Sequence, residues 1–262
     1  MKMIIFALSM VFLNQGYTSP KDLLNSWEIQ RHSLKEIGVR DFKFNIRIKD
    51  QAKELNAQKR YGEVKDLYYT VYWLHGTKLD VKVNGIDGKW YTLKSNLKAN
   101  IYSLLEVLFP TSLFDVTRGY KLSKVGSLKV RAEDESYKKA FQEMLFSFSK
   151  VGALEEIKSK NALGTQILTF ISEKERAAKN NFVVKKIIKK NFYGPNTLNS
   201  TVQINYKNFK NYYLPASLNL ESIVEIPEGE KKEEKRVEKS TTGVEIFGFS
   251  VNENVAKKYF SK

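Results

Sequence analysis

The chain has 262 residues, of which 42% are hydrophobic and 28% charged, with no cysteine and only two histidines, His32 and His75. This length is enough to bury a sizeable core in one domain. The lack of cysteine excludes disulfides, thiolate metal sites and thiol catalysis, and two histidines exclude a His-rich metal site. The formal net charge of +15 favours a polyanionic partner, either nucleic acid or an anionic lipid surface.

Residues 1–18 have the pattern of a secretory signal peptide. Lys2 gives a positive start, and an apolar stretch from Ile4 to Leu13 is followed by polar residues. The stretch is too short to span a bilayer comfortably as a mature helix. We therefore expect export to the periplasm and a single mature domain over residues 19–262. A buried N-terminal element and an uncleaved anchor are the alternatives.

The first part of the mature chain predicts a helix followed by an antiparallel meander. Leucines and Trp27 recur at helical spacing in residues 20–37. Residues 50–62 read as a loop or a short helical turn. Four segments rich in alternating or apolar residues are predicted strands: 39–49, 64–74, 78–84 and 89–94. The Asn84-Gly85 and Asp87-Gly88 pairs between the last two are strong turn signals.

The period then changes to helical in residues 95–109, which Ser95 can cap and Pro110 ends. A second long helical pattern covers residues 134–150. Further strands are predicted at 118–132 (a hairpin around Gly126), 165–172, 200–209, 213–226 and 244–251. The charged segment at 228–239 balances acids with bases, which indicates a solvated hairpin tip or loop, and the last residues read as a frayed end.

The segment 182–192, FVVKKIIKKNF, fits two structures. As a helix it places isoleucines and valines on one side and lysines on the other, which is typical of a basic membrane-surface helix. Its β-branched and aromatic residues favour a strand, which is our prediction. Together the elements predict an α+β fold, in which one curved antiparallel sheet of about nine to eleven strands has helices covering its concave face.

Catalytic motifs are missing from the sequence. It has no nucleophile elbow, phosphate-binding loop, zinc-protease helix or dinucleotide fingerprint. Ser147–Lys150 matches S-x-x-K without the companion motifs. His75 is a candidate general base, but its place in a turn favours a solvated side chain, as does the place of His32 on the polar side of the first helix. We predict a non-enzymatic protein with no cofactor and no metal.

Two short patterns resemble the LolA/LolB/RseB family of bacterial periplasmic lipoprotein carriers and lipid-sensing domains. One is V-N-G-I-D-G-K-W-Y, residues 83–91, followed by a Leu-rich helix that ends before Pro110. The other is Y-K-N-F-K-N-Y-Y-L-P-A-S-L-N-L, residues 206–220. With the N-terminal helix and the alternating strands, the resemblance covers about residues 20–260. One departure is Leu74-His75-Gly76, where the carriers have an arginine that holds the lid closed, so the carriers' release mechanism does not transfer directly.

The resemblance implies an unclosed half-barrel whose hydrophobic hollow holds acyl chains under a helical lid. It implies a periplasmic chaperone-like carrier of lipid or lipoprotein acyl chains, of the kind that sorts lipoproteins to the outer membrane. An anionic membrane surface or an envelope protein is a further expected partner, and nucleic acid is not. Thirteen residues are expected to line the hollow: Phe42, Phe44, Ile46, Tyr69, Val71, Trp73, Leu79, Val81, Trp90, Ile101, Leu104, Leu105 and Leu108.

Two other functions stay open at this stage. The first is a non-enzymatic structural or interaction protein of the envelope, with the same fold and a filled core, because ordinary packing explains each of the thirteen residues. The second is a cytoplasmic nucleic-acid binder, which accounts for the net charge and for the tyrosines and lysines interleaved in residues 201–213. The second requires that residues 1–18 are retained and that binding falls steeply with salt.

Overall fold

The computed structural model describes residues 19–75, 78–194, 196–228 and 234–261. The predicted signal peptide, residues 1–18, lies outside the described residues. In chain order the elements are α1 (Pro20–Gln30), β1 (Asp41–Ile48), α2 (Gln51–Ala57), β2 (Tyr68–Leu74), β3 (Lys78–Asn84), α3 (Tyr91–Leu108), α4 (Leu113–Val116), β4 (Lys121–Lys124), β5 (Lys129–Glu133), β6 (Glu143–Phe148), β7 (Leu154–Asn161), β8 (Gly164–Glu175), β9 (Asn181–Tyr193), β10 (Asn196–Phe209), β11 (Tyr212–Glu228), β12 (Glu234–Val251) and α5 (Val255–Phe260).

The twelve strands form one open antiparallel sheet in the order β3-β2-β1-β12-β11-β10-β9-β8-β7-β6-β5-β4. Strands β4 to β12 follow one another as a meander, and β1 then pairs with β12, with Phe42 opposite Val251. The predicted α+β class and the open antiparallel sheet are confirmed. The sheet has twelve strands, more than the predicted nine to eleven, because residues 143–148 and 154–161 form β6 and β7, neither of which was predicted as a strand.

Two hydrophobic clusters lie under two helices. In the first, α3 buries one leucine stripe, including Ile101 and Leu105, against β1, β2, β3 and β12. In the second, α1 buries Trp27 and two neighbouring leucines against β5, β6 and β7. The helical period of α1 and α3 supplies these stripes, and the two-residue period of the strands supplies the surface beneath them.

Both clusters lie on the same face of the sheet, which we call the core face. The register aligns Phe146 with Ile157 and Ile157 with Leu168. From the next residue of β8 on the same face, a row of apolar residues continues across β9, β10 and β11. That row is Phe170, Ile187, Val202 and Leu220. These four side chains are partly buried, and they lie between the two clusters. We call the opposite side of the sheet the outer face.

The predicted helix over 134–150 is wrong. Residues 134–142 form a loop, and β6 follows, with Met144, Phe146 and Phe148 buried at every second position. The carboxylate of Asp134 accepts hydrogen bonds from the backbone N–H groups of Ser136 and Lys139, which holds the loop. The apolar residues of this stretch fit both periods, and strand pairing with β5 and β7 decides between them.

The predicted strand over 89–94 is also wrong, because α3 begins at Tyr91 and takes most of it. The first helix ends at Gln30 instead of residue 37. The supposed frayed end is helix α5, whose first N–H groups are capped by the Asp41 carboxylate. Of the two predictions for 228–239, a hairpin tip or a loop, the structure supports the hairpin. The antiparallel strands β11 and β12 pair as far as Glu228 and Glu234, so most of the segment is strand, while residues 229–233 lie outside the described residues.

The segment 182–192 is a strand, β9, as predicted. The hairpin around Gly126 is confirmed as β4 and β5, with Gly126 in the left-handed region at φ +72°. Helix α3 confirms the predicted helix before Pro110. Local patterning is therefore sufficient for the hairpin and for α3, since their period, turn residues and flanking stop signals agree. For the segment 182–192 the period fits two structures, and its β-branched and aromatic residues favour the strand.

Candidate functional site

A cleft of about 550 Å³ opens on the core side of the molecule, between the end of α1 and the end of α3. Its lining comes from α1 and the loop after it, from the end of β2, and from the segment that joins α3 to α4. The lining residues are Asn25, Glu28, Ile29, Arg31, His32, Ser33, Lys35, Glu36, Trp73, His75, Leu108, Phe109, Pro110, Thr111, Ser112, Phe114 and Asp115. The cleft is thus a gap between the helix of one core cluster and the helix of the other.

Apolar side chains are available to a ligand in this cleft. Ile29 is 61% exposed and Phe114 is 40% exposed, although both are large hydrophobic residues. Trp73, Leu108 and Phe109 are partly buried, and the rings of Trp73 and Phe109 stack with centroids 6.3 Å apart. Exposed hydrophobic side chains that converge on a concavity are the usual lining of a small-molecule site.

Polar contacts hold the two sides of the cleft together at one edge. The carboxylate of Glu28 accepts a hydrogen bond of 2.7 Å from the backbone N–H of Leu113, the first residue of α4. Glu28 also forms a salt bridge of 2.8 Å with Arg31, whose guanidinium donates to the carbonyl oxygen of Pro110. This pair is largely buried, so it fixes α1 to α4 more firmly than an exposed pair does.

His32 sits where the sheet divides. Strand β9 pairs with β10 only as far as Lys186, although it stays paired with β8 to its first residue. In the gap that β10 leaves, Arg31 forms a parallel bridge with Phe182, and the His32 N–H donates to the Phe182 carbonyl oxygen at 2.8 Å. The segment after α1 therefore closes an opening between β9 and β10.

The His32 imidazole is held by a second hydrogen bond, to a residue of β11. Its Nε2 lies 2.7 Å from the carbonyl oxygen of Tyr213, so Nε2 carries the hydrogen and donates. Nδ1 is buried and has no hydrogen-bond partner among the described residues. The burial of the ring lowers the pKa of His32, and the nearby charge of Lys185 lowers it further against the effect of the Tyr213 carbonyl.

Lys185 and two tyrosines complete the surroundings of this histidine. The Lys185 ammonium forms a salt bridge of 2.6 Å with Glu175 and donates to the Tyr213 hydroxyl at 3.2 Å. Burial acts to lower the pKa of Lys185, but the hydrogen bonds to Glu175 and Tyr213 raise it above its ordinary value. The Tyr206 and Tyr213 rings stack at 5.3 Å, and burial raises the pKa of Tyr206. At neutral pH the raised pKa of Lys185 favours its cationic form, and the lowered pKa of His32 favours a neutral imidazole beside it.

The structure gathers twelve of the thirteen predicted lining residues into the first core cluster and leaves Leu79 at its margin, 36% exposed. Nine of the twelve are buried with 0–8% exposure, and Trp73, Trp90 and Leu108 are partly buried. Only Trp73 and Leu108 of the predicted set line the cleft. The cleft therefore lies beside the predicted hollow, on the side of α1.

Sequence reasoning missed most of the cleft. Ile29 and Phe114 carried a signal, since each is a large apolar residue outside the apolar stripe of its helix. His32 was expected to be solvated and is instead wedged between strands, a position that depends on the divergence of β9 and β10. His75 is exposed, as expected, and both histidines of the chain line the same cleft.

No group of three or more His, Asp or Glu side chains in the described part of the chain is placed to hold a metal ion. The described helices also include none with the length and apolar character needed to cross a membrane. The cleft combines six apolar lining residues with eleven polar or charged ones. Its apolar side chains can contact an apolar chain, and its polar side chains can contact a polar group attached to that chain. Comparisons with protein-family models, with curated proteins and with solved structures find no match to this chain.

Proposed function

We propose that this protein is a periplasmic carrier or binding protein for the acyl chains of lipids or lipoproteins. The observation that supports the proposal is the cleft between the two helical covers, into which Ile29, Phe109 and Phe114 present apolar surface. In this proposal the sheet curves around the ligand, and α1 and α3 cover its concave side. The acyl chain lies in the cleft against Trp73, Leu108 and Phe109, at the edge of the predicted hollow.

The size and chemistry of the cleft suit such a ligand. A volume of about 550 Å³ falls within the usual range for small-molecule sites, roughly 300–1,000 Å³. Each CH₂ group that leaves water for apolar surroundings gains about 0.8 kcal/mol. Burial of about ten CH₂ groups of an acyl chain therefore supplies about 8 kcal/mol, the free energy that corresponds to micromolar binding, with no polar recognition of the chain itself.

The test is a titration with an environment-sensitive fluorescent fatty acid, combined with native mass spectrometry of the gently purified protein. The double variant Ile29→Asp/Phe114→Asp places carboxylates in the cleft at positions that are exposed, so the fold is retained. We expect it to lose at least about tenfold in affinity, the equivalent of about 1.4 kcal/mol. The matched control is Val151→Asp/Leu163→Asp, because these residues are 64% and 76% exposed and lie outside the cleft.

The outcomes separate this proposal from a second one. If the parent protein takes up neither the probe nor a copurified lipid, or if both double variants bind alike, acyl-chain binding at the cleft is refuted. The second candidate, a non-enzymatic envelope protein with a filled core, is favoured by the close packing of nine of the thirteen predicted lining residues. That candidate predicts no uptake of the probe under any condition.

A further inference from the structure

Strand β9 presents lysines and isoleucines to the outer face of the sheet. Its residues alternate between the two faces, so Lys186, Ile188 and Lys190 lie on the outer face while Ile187 belongs to the core face. As a helix, the segment 182–192 would have separated its lysines from its apolar residues. As a strand, it places both lysines and an isoleucine on the outer face. One side of the strand helps to cover the core, and the other side faces outward.

The neighbouring strands extend this surface. Across the sheet, Lys158 of β7 lies opposite Ile167 of β8, and Ile167 lies opposite Lys190. Ile171 likewise lies opposite Lys186. We call the surface formed by three lysines and three isoleucines the outer patch: Lys158, Ile167, Ile171, Lys186, Ile188 and Lys190.

The isoleucines of the outer patch belong to neither core cluster. Ile171 is 43% exposed, and Ile167 and Ile188 are partly exposed. The helix that packs on the outer face is α5, and it lies at the far end of the sheet, where Tyr259 stacks on Tyr72 of β2. Three branched apolar side chains are thus left in contact with solvent on one face of the sheet.

The charge of the outer patch is strongly positive. Lys158, Lys186 and Lys190 take part in none of the salt bridges found among the described residues. Two acids, Glu156 and Glu173, face outward at the margins of the patch. Two further acids on the outer face are already neutralised, because Glu143 pairs with Lys160 and Glu221 pairs with Lys239. An anionic surface therefore meets three uncompensated ammonium groups here.

We propose that the outer patch docks the protein on a membrane surface rich in anionic lipid. Ammonium groups are attracted to anionic headgroups, and isoleucines between them gain free energy by entering the boundary with the acyl chains. Nucleic acid fits less well, since single strands are held by stacking of successive bases on aromatic rings. The outer patch contains no aromatic residue, and Phe192 merely adjoins it on β9. This inference does not depend on acyl-chain binding in the cleft.

The experiment is cosedimentation of the full chain with vesicles of phosphatidylcholine alone and of equal parts of phosphatidylcholine and phosphatidylglycerol, in low and high salt. The patch variant is Lys158→Glu/Lys186→Glu/Lys190→Glu. The matched control is Lys21→Glu/Lys53→Glu/Lys82→Glu, which reverses three exposed lysines elsewhere. Each triple variant lowers the net charge by six, from +15 to +9, because every substitution exchanges a positive for a negative charge.

We expect the parent protein to sediment with the anionic vesicles only. The patch variant should lose about 100-fold in affinity for these vesicles, because it removes the attraction of anionic lipid for three lysines. The control variant is expected to lose much less. Ile171→Ser/Ile188→Ser tests the apolar component and should remove the binding that persists in high salt. A Lys→Gln triple at the same three patch positions repeats the comparison if the reversed charges prevent folding.

Equal binding by the patch and control variants overturns the proposal, as does binding of the parent protein to vesicles of both compositions alike. The same variants titrated with single-stranded DNA provide a further contrary outcome. If the patch lysines govern binding of DNA and leave binding to anionic vesicles unchanged, the outer patch is a nucleic-acid surface. Failure of the fatty-acid titration at the cleft leaves all these outcomes unaffected.

Discussion

Replacement of His32 by leucine tests whether the wedge between β9 and β10 is an energetic element of the fold. Leucine is an apolar side chain of similar length, and it removes the 2.7 Å hydrogen bond from the His32 Nε2 to the Tyr213 carbonyl oxygen. A buried carbonyl group that loses its donor costs about 1–3 kcal/mol. For a domain of this size, 1 kcal/mol corresponds to about 2–4 °C in Tm, so we expect a decrease of about 2–12 °C near pH 8.

The pH dependence of Tm tests the role of His32 more sharply than the Tm at one pH. Because the pKa of His32 is lowered in the folded state, the unfolded chain takes up the proton first as the pH falls below 6.5. The parent protein therefore loses stability below pH 6.5, and the loss is complete once the pH passes the lower pKa of the folded state. His32→Leu has no proton to bind at this position, so the gap between the two proteins should narrow from pH 8 to pH 5.

The assay is thermal unfolding followed by circular dichroism at several pH values between 5 and 8. The control is His75→Leu, because His75 is exposed and is the only other histidine of the chain. We expect the control to follow the pH profile of the parent protein. If His32→Leu keeps the same acid slope as the parent, or matches its Tm at pH 8, then His32 does not act as the structure indicates.

Three further substitutions test other parts of the structure. Gly85→Ala should lower the free energy of unfolding in urea by more than about 1 kcal/mol, because φ is +84° and a Cβ would lie 2.0 Å from the Asp66 carbonyl oxygen. The control is Gly88→Ala, which has open space around it, and equal effects of the two substitutions would contradict this prediction. Asp41→Ala removes the cap of α5, worth about 0.5–2 kcal/mol, and limited trypsin digestion should then cut the end of the chain faster than in the parent. Leu105→Glu, at a position 2% exposed, should abolish the cooperative thermal transition; a retained transition with loss of probe binding would instead indicate a vacant hollow.

Strands and turns could be predicted from the sequence wherever the pattern is local. Residues 200–209 and 244–251 alternate cleanly, and both lie within strands. The segment 134–150 could not be assigned in this way, because its apolar residues fit two periods. Phe141, Leu145 and Phe148 fit a helical spacing, and Met144, Phe146 and Phe148 fit the alternation of β6. The neighbouring strands β5 and β7 decide the structure there, and they lie outside any short window of sequence.

The candidate site was harder to predict than the fold. Trp73 and Leu108 were predicted to line the hollow, but the cleft beside them depends on where α1 ends and how α4 meets it. The hydrogen bond from Leu113 to Glu28 joins residues 85 positions apart, and no periodicity in the chain encodes it. The position of His32 depends on the point at which β10 leaves β9, which is likewise a property of the assembled sheet.

The pairing of β1 with β12 affects when this protein can fold during its synthesis. Because Phe42 lies opposite Val251, the half of the interior beneath α3 stays incomplete until almost the whole polypeptide has been synthesised. Contacts between such distant positions form slowly, since a long loop must close before they yield any free energy. The nascent chain consequently spends an extended period without its native tertiary structure, during which chaperones have access to it.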